Sequence, residues 1–238
     1  MKIGVPKEIK PQENRIGLTP ESVKVLVSNG HEVLIENNGG FEAGFDNDQY
    51  KSAGAKIIDK TEDIFNDAQI IVKVKEPLSN EVKMIRENQV VFTYLHLAAA
   101  KELTQGLINS KSICIAYETV TDNNGRLPLL APMSAVAGRM SVQAGAHCLE
   151  KNQKGRGLLL GGAPGVEPGT VVILGGGVVG ENAAIIATGM RAKVHIVDKS
   201  PERLKQLTQK FGDKIIPQLS DNTDLEKLIS DCDLLVGG

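Results

Sequence analysis

Tryptophan is absent from this 238-residue sequence, and aromatic residues together make up only 3% of it. Basic charge is not in excess either, since 27 Lys and Arg residues face 29 Asp and Glu residues and leave a formal net charge of −2. Nucleic-acid-binding domains carry basic faces, and those that hold single strands add aromatic side chains on which bases stack. The composition therefore argues against a nucleic-acid partner.

Cysteine is also scarce, and no long apolar run is present. Cys114, Cys148 and Cys232 are odd in number and far apart, with none of the spacings typical of metal ligands. We expect three reduced thiols, no metal site and a cytoplasmic protein. No apolar stretch approaches the roughly 20 residues that span a bilayer, and the N-terminus, MKIGVPKEIK, lacks the apolar centre of a signal peptide. We therefore expect no membrane partner.

What the sequence does contain is a pattern typical of dinucleotide-binding proteins. The apolar run Val171–Leu174 leads into Gly175, Gly177 and Gly180, and a helical stretch and a second apolar run that ends on Asp198 follow. Glycines in this spacing allow a tight turn and a close approach of backbone to a pyrophosphate, which the helix N-terminus attracts. A carboxylate at Asp198 can accept hydrogen bonds from the adenosine ribose and repels the additional phosphate of NADP. The pattern therefore predicts an NAD site.

The helix expected after this pattern, with the sequence PERLKQL, has Ser200 as its predicted N-cap and Pro201 at its first position. Arg203 on this helix could reach the adenosine ribose. It could equally be an ordinary solvated charge on the helix surface, and the sequence leaves both interpretations open.

Short apolar runs alternate with helical patterns along most of the chain, which is typical of parallel sheets covered by helices. The expected fold class is α/β, with two doubly wound parallel-sheet (Rossmann-like) domains joined by a long helix. Turn-forming residues 122–125 close the first of them, so we expect a substrate domain over residues 1–128 and an NAD-binding domain over residues 129–238. The second begins with the linker helix 133–151, for which Ser134 is the predicted N-cap. Strands are predicted at Ile3–Val5, Glu32–Ile35, Lys56–Ile58, Ile70–Val74, Val90–Leu95, Ile113–Tyr117, Val171–Leu174, Val194–Val197, Lys214–Leu219 and Asp233–Val236, and further helices from Pro20 to a stop at Gly30, from Asp46 to Gly54, at Ala98–Ile108 and at Asp224–Ser230.

Four separated segments resemble the alanine dehydrogenase family, within the larger group that includes the NAD-binding subunit of proton-translocating transhydrogenase. Together they run through essentially the whole sequence in the family's order. The sequence departs from the family pattern at Gln12, Asn14 and Arg191, none of which is assigned a chemical role. The segments are Gly4–Glu8 with Glu13–Arg15 and Leu18–Pro20, Val72–Pro77, Tyr94–Ala98, and the Met133–Gly145 helix with Gly161–Val166 and the Gly175–Gly180 loop.

The resemblance implies reversible oxidative deamination of L-alanine to pyruvate and ammonia, with NAD as the cofactor. It assigns Arg15 and Lys75 to the substrate, and a guanidinium fork and an ammonium group suit the carboxylate and keto oxygen of such a molecule. It also makes His96 the catalytic acid and base, and an imidazole can exchange the protons that deamination requires. Contacts to NAD are implied for Ser134, Ser220 and, through its backbone, Val178.

Without the resemblance, each of these residues has an ordinary interpretation. Arg15 would be a solvated loop charge, Lys75 a charge at the end of a predicted strand, and His96 a hydrogen-bonded core histidine. Ser134 and Ser220 would be capping residues. Two other functions also stay open. One is a different member of the group, such as a transhydrogenase subunit that binds NAD without an amino acid substrate, and the other is a non-catalytic NAD-binding module.

The sequence ends at Gly238, after only four of the six strands expected of a dinucleotide-binding domain. The apolar fourth strand, Asp233–Val236, would lie beside the first and present an uncovered edge. We therefore expect the second domain to be incomplete at its C-terminus, and the chain to be a truncated member of the family with incomplete catalytic machinery. The family forms homo-oligomers, commonly hexamers, so the resemblance implies a homo-oligomer.

Overall fold

Two parallel sheets form the framework of the structure, a computed structural model that describes every residue from Met1 to Gly238. The chain divides into a first unit, Met1–Leu129, and a second unit, Leu130–Gly238. Every strand pair in both sheets is parallel. The predicted α/β fold class with parallel sheets is confirmed. None of the helices combines the length and apolar character needed to cross a bilayer.

The first unit is a six-stranded parallel sheet with five helices. Its strands are β1 (Lys2–Val5), β2 (Glu32–Glu36), β3 (Lys56–Ile58), β4 (Ile70–Val72), β5 (Val90–Thr93) and β6 (Ile113–Ala116), and its helices are α1 (Pro20–Ser28), α2 (Asn47–Ser52), α3 (Thr61–Asp67), α4 (Ser79–Val82) and α5 (Lys101–Ser110). The strand order is β3-β2-β1-β4-β5-β6. The direction in which strands are added reverses between β1 and β4. Open α/β sheets bind ligands outside the carboxyl ends of their strands at such a switch point.

Both faces of this sheet are covered, because successive side chains on a strand point to opposite faces. Ile3 and Val5 of β1 pack with Val23 of α1 in one buried cluster. Ile71 of β4 packs with Phe65 of α3 in a second cluster. The sheet therefore has a buried apolar cluster on each face beneath the loops that leave its strand ends.

Several element bounds in the first unit differ from the sequence predictions. Helices α3 and α4 were not predicted, since seven and four residues are too few to repeat an apolar pattern of helical period. The strand predicted at Ile70–Val74 ends at Val72. The helix predicted at Ala98–Ile108 is a 3₁₀ turn at Leu97–Ala99 followed by α5.

The second unit is a four-stranded parallel sheet with four helices. Its strands are β7 (Thr170–Leu174), β8 (Lys193–Asp198), β9 (Ile215–Leu219) and β10 (Leu234–Gly237), and its helices are α6 (Ala131–Cys148), α7 (Val178–Gly189), α8 (Pro201–Phe211) and α9 (Leu225–Ser230). The strand order is β10-β7-β8-β9, so the fourth strand lies beside the first as expected. A single buried cluster, which includes Val142, Ile173 and Ala184, packs α6 and α7 with the strands.

The long helix α6 begins earlier than predicted, and Ser134 is not its N-cap. Ser134 lies inside the helix, in its first turn and a half, because the helix already starts at Ala131 with Pro132 in its first turn. Proline suits this position, since it needs no intrahelical partner for its nitrogen and its fixed φ matches the helix. At the other end α6 stops at Cys148, before the predicted end at Lys151, where a separate 3₁₀ turn, Lys151–Gln153, begins.

Close packing of α6 on α7 depends on Gly138, and this predicts an effect of substitution. A Cβ atom at Gly138 would lie 2.1 Å from the carbonyl oxygen of Val179 and 2.9 Å from the Cβ of Asn182. We expect Gly138→Ala to destabilise the second unit by about 1–3 kcal/mol, since the helices must separate. The measurement is hydrogen exchange followed by mass spectrometry. Peptides from β7 and α7 are expected to exchange faster in the variant than in the wild-type chain.

Gly189→Ala is the matched control, because Gly189 is also a helical glycine of the second unit and a Cβ there meets nothing within 4 Å. This variant is expected to leave stability unchanged or raise it by up to about 1 kcal/mol through helix propensity. Equal protection of β7 and α7 peptides in the two variants would contradict the packing argument.

Candidate functional site

Three loops of the first unit carry the residues assigned to substrate and catalysis. Arg15 follows β1, Lys75 follows β4 and His96 follows β5, and these are three adjacent strands of the sheet. Since carboxyl ends of parallel strands meet at one edge, the three residues are brought to the same edge of the unit, at and beside the switch point. Lys75 was expected at a strand end but lies three residues beyond Val72.

Arg15 is held by a carboxylate that the sequence interpretation missed. Its Nε donates to Oε1 of Glu13 at 2.7 Å, its Nη2 donates to Oε2 at 2.6 Å, and its backbone N–H donates to Oε1 at 3.0 Å. The side-chain hydrogen bond from Arg15 lowers the pKa of Glu13, and the charge of Lys75 adds to this. Arg15 is therefore an oriented guanidinium beside a second cation, and not a loop charge surrounded only by solvent.

The loop that carries Lys75 is fixed by Glu8, which follows β1. Oε1 of Glu8 accepts hydrogen bonds from the backbone N–H groups of Val74 at 2.5 Å and Lys75 at 3.2 Å. Its Oε2 accepts from Nζ of Lys73 at 3.1 Å. Because one carboxylate oxygen accepts from two successive N–H groups, the backbone at Lys75 is held next to the segment that follows β1.

Lys73 belongs to a buried ion cluster, which we define as Glu8, Lys73 and Glu81. Their side chains are only 2%, 1% and 1% exposed. Nζ of Lys73 lies 2.8 Å from Oε1 of Glu81, and this ion pair is the only polar contact of that oxygen. Oε2 of Glu81 accepts from the backbone N–H of Leu78 at 2.8 Å. The cluster therefore ties together residues on both sides of Lys75.

His96 is exposed, so the alternative of a core histidine does not describe it. Its backbone has φ of +49°, and its N–H donates to Oε1 of Glu118 at 2.7 Å. The neighbouring N–H of Leu95 donates to the same oxygen at 3.1 Å. Burial would raise the pKa of Glu118, but these backbone hydrogen bonds hold it below its usual value. The ring of His96 stacks on Tyr94 with centroids 6.2 Å apart, and His96 and Glu118 line a cavity of about 490 Å³.

The glycine loop of the second unit has the backbone that the dinucleotide pattern requires. Gly175 has φ of +97°, which favours glycine, and a Cβ at Gly180 would lie 1.9 Å from the carbonyl oxygen of Gly175. At Gly177 a Cβ would meet nothing within 4 Å, so the backbone is open to a ligand. The first N–H groups of α7 have no partner within the helix. The loop therefore fits a pyrophosphate.

Asp198 ends β8 beside this loop, in a cavity of about 400 Å³. Its Oδ2 accepts from the backbone N–H of Gly176 at 2.6 Å, and its Oδ1 accepts from that of Ser200 at 2.8 Å. The carboxylate of Asp198 therefore connects the end of β8 with the glycine loop. The cavity is also lined by Gly175, Gly177, Lys199, Ser220 and Gly238, so Ser220 and Asp198 lie in one site.

Two further predicted NAD contacts, Ser134 and Val178, lie at the beginning of α6 and α7. Val178 is the first residue of α7 and is 43% exposed. Ser134 lies one turn before Gly138, which packs against the carbonyl of Val179, and residues four apart share a helix face. Ser134 is therefore near the start of α7, but it does not line the cavity that contains Asp198.

Arg203 is part of a charge network and not a solvated helix charge. Its Nε donates to the carbonyl oxygen of Gly176 at 2.6 Å, its Nη1 donates to Gln206 at 3.1 Å, and its Nη2 forms a short ion pair with Glu181. Lys210 pairs with the other oxygen of Glu181. The sequence interpretation did not single out Glu181, because its partners Arg203 and Lys210 lie 22 and 29 residues away in the sequence and no local pattern connects them.

Comparison with known families matches both units. The sequence model described as "Alanine dehydrogenase/PNT, N-terminal domain" matches residues 4–137, and the one described as "Alanine dehydrogenase/PNT, C-terminal domain" matches residues 141–238. Over 237 residues the chain is 50% identical to the alanine dehydrogenase of Methanococcus maripaludis and 49% identical to that of Geobacillus stearothermophilus. All of the chain is covered in both comparisons, and it spans 64% of the length of these curated relatives.

Solved structures give the same result. An L-alanine dehydrogenase structure superimposes with a TM-score of 0.91 and 51% sequence identity, covering 99% of this chain and 65% of that one. The structure of transhydrogenase from Sinorhizobium meliloti superimposes with a TM-score of 0.82 over 100% of this chain and 69% of that one. At 22% identity, the second similarity concerns the fold alone.

Proposed function

Because this chain belongs to the alanine dehydrogenase/PNT family, we propose that it serves the NAD-dependent, reversible oxidative deamination of L-alanine to pyruvate and ammonia. The observation that carries the proposal is the placement of Arg15, Lys75 and His96 after three adjacent strands, at one edge of one sheet. A guanidinium, an ammonium group and an imidazole together suit a substrate that presents a carboxylate and exchanges protons.

In this proposal Arg15 binds the substrate carboxylate, since Glu13 already fixes the plane of its guanidinium. Lys75 contacts the carboxylate or the keto oxygen as a point charge. His96 takes a proton from the water that adds to the substrate carbon and returns protons as ammonia leaves. NAD, when bound, supplies the hydride acceptor for the alanine Cα.

The second unit supplies the coenzyme contacts in this proposal. The backbone of Gly175, Gly177 and Gly180 approaches the pyrophosphate, and the N-terminus of α7 favours its negative charge. Asp198 accepts hydrogen bonds from the ribose hydroxyls and selects NAD over NADP. The remaining proposed contacts are Ser134, Val178, Arg203 and Ser220.

A cytoplasmic location and a homo-oligomer, a hexamer by resemblance to the family, belong to the same proposal. Three cysteines without a disulfide suit a reducing compartment. Sedimentation analysis of the purified chain measures the oligomeric state directly.

The proposal predicts that the purified chain forms NADH from NAD and L-alanine, and turnover near that of a full-length relative would contradict the expectation of incomplete catalytic machinery. Arg15→Ala is expected to lower kcat/KM for L-alanine about 100-fold, or about 2.7 kcal/mol, because it removes a charge-assisted contact to the carboxylate. The absorbance of reduced nicotinamide follows the reaction.

Arg126→Ala provides the control, because Arg126 is an exposed arginine of the same unit that pairs only with Asp122. Hydride exchange between nucleotides without an amino acid would favour the transhydrogenase alternative. NAD binding without any turnover would favour a non-catalytic NAD-binding module.

A further inference from the structure

Glu181 connects the first turn of the coenzyme helix to two cations of the next helix. It is the fourth residue of α7, and its two carboxylate oxygens pair separately with Arg203 and Lys210 of α8.

Arg203 is close to the carboxylate that receives the ribose. Both groups hold the same glycine, since Asp198 accepts from the N–H of Gly176 at 2.6 Å and Arg203 donates to its carbonyl at 2.6 Å. The distance from a Cβ built at Gly176 is 3.1 Å to Oδ2 of Asp198 and 3.4 Å to Cγ of Arg203. A cation therefore lies beside the proposed ribose position.

An arginine beside the ribose is the usual means by which dinucleotide-binding folds accept the 2′-phosphate of NADP. Left without a partner, Arg203 would attract that phosphate and oppose the selectivity that Asp198 provides. Glu181 opposes this attraction, because it occupies the guanidinium of Arg203 and offsets part of the positive charge that a phosphate would sense.

The charge of Glu181 is maintained in the folded chain. Its side chain is 24% exposed and that of Arg203 is 29% exposed, so solvent and salt screen this pair less than a fully exposed one. Burial would raise the pKa of Glu181, but the hydrogen bonds from Lys210 and Arg203 outweigh this effect and hold the pKa below its usual value. The carboxylate therefore stays ionised.

We propose that Glu181 is a specificity-determining residue of the coenzyme site, whose pairing with Arg203 prevents this guanidinium from binding the 2′-phosphate of NADP. The inference rests on the proposed NAD site, and it adds a second negative charge to the discrimination expected from Asp198. The coenzyme would thus be selected by repulsion at the ribose and by neutralisation of the adjacent arginine.

The test measures affinities of the purified chain for NADH and NADPH by calorimetric titration at two salt concentrations. Glu181→Gln is expected to raise the affinity for NADPH about tenfold while that for NADH stays within about threefold. The gain should diminish at the higher salt concentration, because the freed charges are screened. An NADPH-to-NADH affinity ratio within about twofold of wild type would overturn the proposal.

Two further variants identify the cause. Glu226→Gln removes one negative charge from the exposed surface of α9 in the same unit and is expected to leave both affinities unchanged. The double variant Glu181→Gln/Arg203→Gln is expected to lose the gain in NADPH affinity. If the double variant keeps the gain, Arg203 is not the responsible cation and the proposal is wrong.

These titrations separate the inference from the proposed function. A chain that binds NADH, responds to Glu181→Gln as expected and does not oxidise L-alanine would refute the proposed reaction while supporting the role of Glu181. Oxidation of L-alanine with an unchanged coenzyme preference in Glu181→Gln would do the reverse. A folded chain that binds neither nucleotide would remove the coenzyme site and the inference together, with circular dichroism as the check of folding.

Discussion

Lys73→Met is expected to lower the free energy of unfolding of the first unit by about 3–5 kcal/mol. Lys73 is 1% exposed and lies between the equally buried carboxylates of Glu8 and Glu81, at 3.1 and 2.8 Å. Removing the ammonium group leaves two negative charges buried without a cation, which is far more costly than removing an exposed ion pair. The loss of Lys73 also frees the Glu8 carboxylate that holds the backbone of Lys75.

Urea unfolding followed by tyrosine near-ultraviolet circular dichroism measures this effect on the correct unit, because Tyr50, Tyr94 and Tyr117 all lie in the first unit. Lys24→Met, at an exposed position of α1, is the control and is expected to change stability by less than about 0.5 kcal/mol.

A triple variant keeps the prediction testable if Lys73→Met does not fold. Combining Lys73→Met with Glu8→Gln and Glu81→Gln removes every charge of the buried ion cluster and leaves amide oxygens that can still accept from the backbone. Replacing a whole buried ion cluster by uncharged groups is often close to neutral. The triple variant is therefore expected to regain at least about half of the lost stability, and a triple variant less stable than Lys73→Met would contradict the electrostatic explanation.

The sequence was sufficient where the relevant signal is local. The glycine loop and Asp198 lie within one short stretch, and the structure places them in one cavity. Strands in parallel sheets read as apolar runs, so their carboxyl ends could be located approximately, and with them Lys75 and His96. The sheet order was not needed to bring these residues together, since every parallel strand ends at the same edge.

The partners of the site residues could not be predicted, because tertiary placement alone decides which charges meet. Glu8 and Lys73 are 65 residues apart, and Glu118 reaches His96 across 22 residues. In sequence, a buried paired acid has the same appearance as a solvated one. The prediction of Ser134 as an N-cap was wrong for a related reason. The helix begins at Ala131, and the sequence alone does not define the first residue of a helix to within one or two positions.

His96→Asn is expected to reduce kcat for L-alanine by about 10²–10⁴-fold, since the imidazole is the only group assigned to proton transfer in this chain. Asparagine is chosen because His96 has φ of +49°, a conformation that asparagine adopts more readily than most residues. The backbone hydrogen bonds to Glu118 can therefore persist, and the variant tests the ring and not the fold of the loop.

Steady-state rates in both directions, together with NADH affinity, distinguish a lost acid and base from a damaged site. We expect the NADH affinity to be unchanged and the KM for pyruvate to change less than about threefold, since Arg15 and Lys75 remain in place. His31→Asn, at another histidine of the first unit, is the control and is expected to retain full activity. If His96→Asn keeps kcat within about tenfold of wild type, the proton must be carried by another group, and the role proposed for His96 is wrong.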